Sequence, residues 1–168
     1  MDIYQFLKDN DISWQRYDHP PVYTCREAEC IVPPLPAAKI KNLFLCDKKG
    51  NRHFLLVVGA EKSVDLKALS SLLNVNKLRF ASLHRMRKYL RVEPGSATLL
   101  AVVNDTDREI EVVMDKPIWE EKAFQCHPLV NTSTLVISSK NIRRFLKITG
   151  HPAHVIDVPS KGRARSIP

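Results

Sequence analysis

Four short strings in this 168-residue chain hold residue types that can do chemistry. Lys39-Ile40-Lys41-Asn42 stands at the entrance to an apolar run, and a lysine at a strand end can hold a phosphate as a point charge. Arg91-Val92-Glu93-Pro94-Gly95-Ser96-Ala97-Thr98 sets Pro-Gly ahead of a second apolar run. Glycine there permits close backbone approach, and consecutive N–H groups can bind an oxyanion. His127-Pro128-Leu129-Val130-Asn131-Thr132 is a polar-tipped loop whose histidine can hydrogen-bond a substrate amine or carbonyl, or relay a proton. His19-Pro20-Pro21-Val22-Tyr23-Thr24 can line a cleft. Taken singly, each string also has a plainer reading: a solvated basic edge, an ordinary turn, a histidine tying down its loop, a proline-rich loop.

The standard catalytic signatures are absent from the sequence. It holds no Gly-x-Ser-x-Gly elbow, Walker loop, dinucleotide fingerprint or His-Glu-x-x-His. His151 and His154 are close in sequence, but no Cys or carboxylate near them completes a metal-ligand set, so they read as loop and strand histidines. Cys25, Cys30, Cys46 and Cys126 form no Cys-x-x-Cys pair, which argues against a zinc ribbon or a thioredoxin-type motif. Met1-Asp2-Ile3-Tyr4-Gln5 does not open a signal peptide, so reduced thiols in a cytoplasmic protein are expected. Cys126 adjoins His127, yet strand neighbours point to opposite faces, and a buried thiol is the simpler reading than a covalent nucleophile.

Those strings need a scaffold, and the composition permits one. Apolar residues make up 44% and charged residues 26%, an ordinary globular balance that excludes disorder along the whole chain. No apolar run approaches the roughly 20 residues of a membrane span. The net charge of +8 admits a nucleic-acid partner, and an incidentally basic surface explains it as well. Residues 2–10 read as a short amphipathic helix, and the proline-rich stretch 18–38 as loop with a short helix near Cys25–Glu29. Asn42–Cys46 and His53–Val58 flank a Gly-containing turn and predict a hairpin. Leucines at helical spacing follow the N-cap candidates Asp65 and Ser82. Thr98–Asn104 and Glu109–Met114 predict a second hairpin, and Phe124–Cys126 and Thr134–Ile137 predict strands flanking a loop. A helix through Ile142, Phe145 and Leu146 closes at Gly150, and a last strand covers His154–Val158. The class is mixed α/β, an α+β arrangement with a largely antiparallel sheet. One domain spans 1–158, and residues 159–168 are expected to form a basic, mobile tail.

The order of the strings along the chain is more telling than any one of them. The His19 string precedes Lys41-Asn42-Leu43-Phe44-Leu45, then Arg91-Val92-Glu93-Pro94-Gly95-Ser96, Val103-Asn104-Asp105, His127–Thr132, Gly150-His151-Pro152 and Ile156-Asp157. This series resembles the YbaK-like aminoacyl-tRNA deacylase family, and within it the free-standing homologues of the bacterial prolyl-tRNA synthetase editing domain. The resemblance covers roughly residues 1–158, nearly the whole chain, and Lys41-Asn42 and His127–Thr132 are its most specific parts.

The resemblance implies a barrel-like mixed sheet flanked by helices and hydrolysis of the ester on mischarged tRNA(Pro). The usual wrong amino acid in that group is alanine, while relatives in the broader family remove cysteine, serine or threonine. It implies no metal and no organic cofactor. Its partners are tRNA and, as a second candidate, prolyl-tRNA synthetase, with neither DNA nor a membrane. Carried over residue by residue, Lys41 matches the lysine facing the 3′ end of the tRNA, and Asn42 the pocket asparagine beside it. Gly95, Ser96, Ala97, Thr98 and Leu99 match a Gly-x-x-x-Pro loop bordering the scissile ester, with Leu99 in place of the proline. His127 matches a histidine close to the bound amino acid, and Asn131 lies in the same loop.

The expected machinery is Lys41 on the terminal phosphate or ribose, N–H groups of Gly95–Ala97 on the oxyanion, and His127 and Asn42 on the amino group and the attacking water. The substrate's own 2′-hydroxyl is expected to assist. Lys39, Lys41, Lys48, Lys49 and Arg52, then Arg85, Arg87, Lys88 and Arg91, then Arg143, Arg144 and Lys147 form three candidate tRNA-facing groups. The alternative is a non-catalytic tRNA- or synthetase-binding module, and Leu99 is the one feature that favours it.

Overall fold

The computed structural model describes residues 1–23 and 34–162. The expected helix near Cys25–Glu29, the thiols of Cys25 and Cys30, and the tail beyond 162 lie outside the described residues.

Two sheets carry the fold. Strands β1 (Gln15–Asp18), β7 (Ser133–Ser138) and β6 (Ala123–Cys126) form an antiparallel sheet in the order β1-β7-β6. The larger sheet runs β4-β2-β3-β5-β8, built from β4 (Arg79–Phe80), β2 (Ile40–Cys46), β3 (His53–Gly59), β5 (Ile110–Asp115) and β8 (Ala153–Ile156). β2 pairs antiparallel with β3 and β4, whereas β5 runs parallel to both β3 and β8. The sheets meet through a single parallel bridge, Ala38 to Phe124, so the barrel-like arrangement stays open.

The β2–β3 hairpin is the one its apolar runs predict, with Leu45 opposite Phe54 and Lys41 opposite Val58. Its two faces feed two cores. Phe44, Leu55 and Val57 enter a large cluster with Phe124, Phe145 and Leu100, while Leu45, Phe54, Leu56 and Val58 enter a smaller one with Leu69 and Val113. β3 is buried on both faces, as expected of a central strand between an antiparallel and a parallel neighbour. Helices α1 (Ile3–Asp9), α2 (Leu66–Leu72) and α5 (Ser139–Thr149) are capped by Asp2, Asp65 and Ser138, whose side chains accept from N–H groups of the first turn. α5 ends at Gly150, with φ of 78°, as a C-cap glycine should. Helix α3 starts at Leu83–Arg85 behind the Ser82 cap and continues as a π-helix over Met86–Leu90. The four-residue α4 (Lys116–Trp119) begins with Pro117 near its N-terminus. None of the helices among the described residues is long and apolar enough to cross a membrane.

The second predicted hairpin does not form. Leu99–Asn104 is a 3-10 helix, and all six of its residues are buried. Two causes account for this. Both edges of β5 are taken, by β3 and β8, so an antiparallel partner has nowhere to pair. Local side chains also satisfy the backbone in another way. Asn104 donates to the Leu90 carbonyl at 2.9 Å, and the Asp105 carboxylate accepts from the N–H groups of Glu109 and Ile110. Asp105 also accepts from His151 Nε2 at 3.0 Å, with both side chains buried. The His151 that the sequence leaves as a plain loop histidine thus pins the start of β8 to the turn before β5. A similar pin joins Lys62 to buried Asp115 at 2.8 Å, and Asp115 also accepts from the Val158 N–H. Beyond 158 the backbone runs along 63–65, with a bridge from Ser160 to Val64 and Lys161 N–H on the Ser63 carbonyl.

Candidate active site

Among the described residues, the candidate site lies at a gap in the pairing of one strand. In an antiparallel ladder alternate residues direct their N–H and C=O groups to opposite edges. The Lys39 carbonyl bonds Ala60 on the β3 side, so Ala38, Ile40, Asn42 and Phe44 direct theirs to the outer edge of β2. Ala38 is paired there with Ala123 and Gln125 of β6, and the Phe44 carbonyl accepts from Ala81 at 2.9 Å. Between those points no described residue pairs with the edge, and a cleft of about 360 Å³ lies there. Unpaired edge groups are a liability that proteins usually cover, so an opening held by partners on both sides is a built feature.

Lys41, Asn42, Gly95, Ala97 and His127 all line this cleft. Strand alternation places Asn42 on the face of Ile40 and Phe44, and Lys41 on the face of Leu43 and Leu45. The Asn42 Oδ1 is buried and has no hydrogen-bond partner among the described residues. A buried acceptor costs free energy when unpaired, so it is poised for a donor that arrives with a ligand. Lys41 is half-buried and makes no ion pair with any described residue.

Gly95 has φ of +83°, and a Cβ placed on it would stand 2.9 Å from Cδ1 of Tyr23. Only glycine sits there without strain, because an L-residue in this region costs about 1–2 kcal/mol. Of the three N–H groups expected to face an oxyanion, that of Ser96 is already donated to the Glu93 carbonyl at 3.0 Å. Those of Gly95 and Ala97 have no partner among the described residues. The loop N–H groups left without a partner among the described residues are therefore those of Gly95 and Ala97.

His127 is fixed by two elements. Its Nδ1 lies 3.2 Å from the Ser133 carbonyl, which can only accept, so Nδ1 carries the proton and Nε2 is left as an acceptor. Burial pushes its pKa below the usual histidine range, and nearby His19 adds to this. The Thr98 hydroxyl donates to the His127 carbonyl at 2.7 Å, tying the glycine loop to the histidine loop. No spacing in the sequence signals this contact. The His19 string runs beside the same loop: His19 N–H bonds the Thr132 carbonyl, Val22 N–H bonds the Asn131 carbonyl, and His19 Nε2 accepts from Thr134 Oγ1 at 2.9 Å.

Four expected site residues do not line the cleft. Ser96 and Thr98 are buried behind the loop. Asn131 meets the neighbouring chain through its carbonyl. Leu99 is 1% exposed and packs in the larger core. Phe80, Ala81, Met86 and Phe44 complete the cleft without having been expected there. Cys126 is fully buried, and burial pushes its thiol up to about 12, which leaves no thiolate for catalysis. The basic groups are partly spent within the fold: Arg52 pairs with Glu111, Arg87 with Glu93, and Arg85 bonds the Gly50 carbonyl.

Two predictions arise here. Leu99→Pro is expected to leave catalysis within about threefold of the parent. Thr98 is already extended, as a residue before proline must be, and the Leu99 N–H has no partner to lose among the described residues. The smaller ring loses core packing, so stability falls by about 1–3 kcal/mol, readable as a lower Tm. The second concerns pH. Burial lowers the pKa of His53, with Arg85 adding to it, as burial does for His127. Each folded value lies below the unfolded one near 6.5, so the stabilisation is complete above that value and is lost as the pH falls through the lowered values. Tm is expected to fall between pH 7.5 and pH 5.5; a Tm that rises with acid contradicts the neutral state of these two histidines.

Comparison with known proteins shows the family and the fold. A family model for the aminoacyl-tRNA editing domain matches residues 19–145. The chain is similar to the prolyl-tRNA editing protein ProX of Acetoanaerobium sticklandii, at 35% identity over 152 residues, covering 90% of this chain and 93% of that one. It is also similar to the prolyl-tRNA synthetase associated domain-containing protein 1 of Danio rerio, at 35% identity over 152 residues, covering 89% of this chain and 82% of that one. Among solved structures, a candidate trans-editing enzyme for prolyl tRNA synthetase shares the fold, with a TM-score of 0.70 at 16% identity over 96% of both chains.

Proposed function

The chain belongs to the aminoacyl-tRNA editing domain family, and we propose that it removes alanine from alanyl-tRNA(Pro) at the open edge of β2. As a member it is a hydrolase: a trans-editing deacylase that takes mischarged tRNA as its substrate and cleaves the aminoacyl ester. One observation carries the assignment of the site. Lys41, Asn42, Gly95, Ala97 and His127, from three separate stretches of chain, converge on one cleft in which acceptors and donors are left unpaired among the described residues.

An aminoacyl ester is already activated, so positioning and charge stabilisation suffice. The ammonium of the amino acid donates to Asn42 Oδ1. His127 Nε2, neutral at physiological pH, accepts from the attacking water and orients it. As water adds to the ester carbonyl, the tetrahedral oxyanion accepts from the N–H groups of Gly95 and Ala97. The proton lost by the water passes to the departing 3′-oxygen, with the neighbouring 2′-hydroxyl of the ribose as the relay. Lys41 holds the terminal phosphate or ribose. Proline is rejected by the size of the acyl pocket, because clash discriminates more strongly than a lost methylene contact.

The binding-module reading rests on Leu99, and Leu99 lies in the core rather than the cleft. The test is a panel of alanyl-, seryl-, threonyl-, cysteinyl- and prolyl-tRNA(Pro). Loss of the alanyl ester alone is expected. Loss of the seryl, threonyl or cysteinyl ester instead reassigns the amino acid, and loss of none, with tRNA still bound, returns the protein to the binding-module reading.

A further inference from the structure

Five of the six phenylalanines are at least partly buried, and Phe80 is the exception. It is 60% exposed and stands at the mouth of the cleft. Its backbone is fixed: Phe80 pairs with Leu45 of β2, and the N–H of Ala81 bonds the Phe44 carbonyl at 2.9 Å. Residues directly opposite in a ladder share a face, so Phe80 lies on the face of Leu45, Leu43 and Lys41. That face carries in sequence an ammonium with no ion-pair partner among the described residues, a half-buried aliphatic residue and an exposed aromatic ring. Lys41 and Leu45 are four residues apart, which places the backbone of Lys41 and that of Leu45, the residue opposite Phe80, about 13–14 Å apart along the strand. A lysine side chain and one nucleotide together span that distance. The other face of the same edge holds Asn42 and looks onto Gly95 and His127.

We propose that Phe80 is the platform on which the terminal nucleobase of the tRNA stacks, with Lys41 holding the sugar-phosphate of the same nucleotide. This rests on the editing reading of the cleft and gives its two faces separate tasks. Amino-acid selection falls to the Asn42 face, and nucleoside capture to the Lys41–Phe80 face. An aromatic ring suits this role because every base offers a π-face, and the +8 net charge and the Lys41 ammonium in the cleft fit a polyanionic ligand.

The experiment is a binding cycle with uncharged RNA minihelices that end either in adenosine or in an abasic ribose at the 3′ position. Phe80→Ala is expected to weaken binding of the adenosine-ended RNA by about tenfold, and Phe80→Trp to restore it. On the abasic RNA, wild type and Phe80→Ala are expected to bind alike, which a merely structural role for the ring would not produce. Equal binding of the adenosine-ended RNA by wild type and Phe80→Ala overturns the proposal, as does the same loss on both RNAs. Deacylation by the wild type is followed in parallel. Its absence beside base-dependent, Phe80-dependent binding strikes the editing reading and leaves the nucleobase platform standing.

Discussion

Replacing Lys41 with alanine is expected to lower deacylation of alanyl-tRNA(Pro) by about 100-fold or more without lowering Tm. The magnitude follows from the kind of step involved. Where catalysis is positioning and charge stabilisation, losing one fixed contact to the reacting end typically costs two to three orders of magnitude. The fold does not depend on this ammonium. Lys41 makes no ion pair with any described residue, and its backbone stays in the β2–β3 ladder opposite Val58 whatever its side chain. Lys41→Arg should recover only part of the loss, since a planar guanidinium places its donors differently from a point-like ammonium. Single-turnover deacylation with a thermal melt of each variant checks this. Normal turnover in a well-folded Lys41→Ala protein removes Lys41 from the machinery.

Gly95→Ala should have an effect of similar size through a different cause. The added methyl group meets Tyr23 at 2.9 Å, and the backbone at φ +83° is strained for any residue with a Cβ. The strain of about 1–2 kcal/mol lowers Tm by about 2–8 °C for a chain of this size. Catalysis suffers more, because relief of the strain displaces the N–H groups of Gly95 and Ala97, and a misplacement of about 1 Å costs about 100-fold. Affinity for uncharged tRNA should be nearly unchanged, since the loop lies on the acyl side of β2. A variant with the parent rate would mean that the oxyanion is held elsewhere.

The parts of this architecture that the sequence reveals are those whose physics is local. Asn42–Cys46 and His53–Val58 announce a hairpin because two apolar runs flank a polar turn with Gly50. Ser138 and Gly150 bracket α5 because caps are local hydrogen-bond devices. Leu99–Asn104 misleads for the opposite reason. A run of Leu, Ala and Val reads as a strand, but its conformation is decided by both edges of β5 being occupied and by contacts from Asn104 and Asp105. The candidate site divides in the same way. Lys41, Asn42, Gly95 and His127 are found through family resemblance, since composition and spacing leave each with an ordinary alternative. The Thr98–His127 bond and the exposure of Phe80 are tertiary facts. An aromatic residue in a sequence reads as core, whereas this one is exposed on β4 and lines the cleft.

Editing at the β2 edge requires that the aminoacyl-adenosine end bind in this cleft. The direct test is to titrate the isotopically labelled protein with 3′-alanylamino-3′-deoxyadenosine, in which an amide replaces the ester and resists hydrolysis, while following the backbone and side-chain amide resonances. Saturable shifts are expected at Asn42, Gly95, Ala97 and His127, and far weaker shifts with the prolyl counterpart. Shifts confined to another surface, such as the groove beside Trp119 and Lys147, would contradict it, as would no binding by a protein that still hydrolyses alanyl-tRNA(Pro).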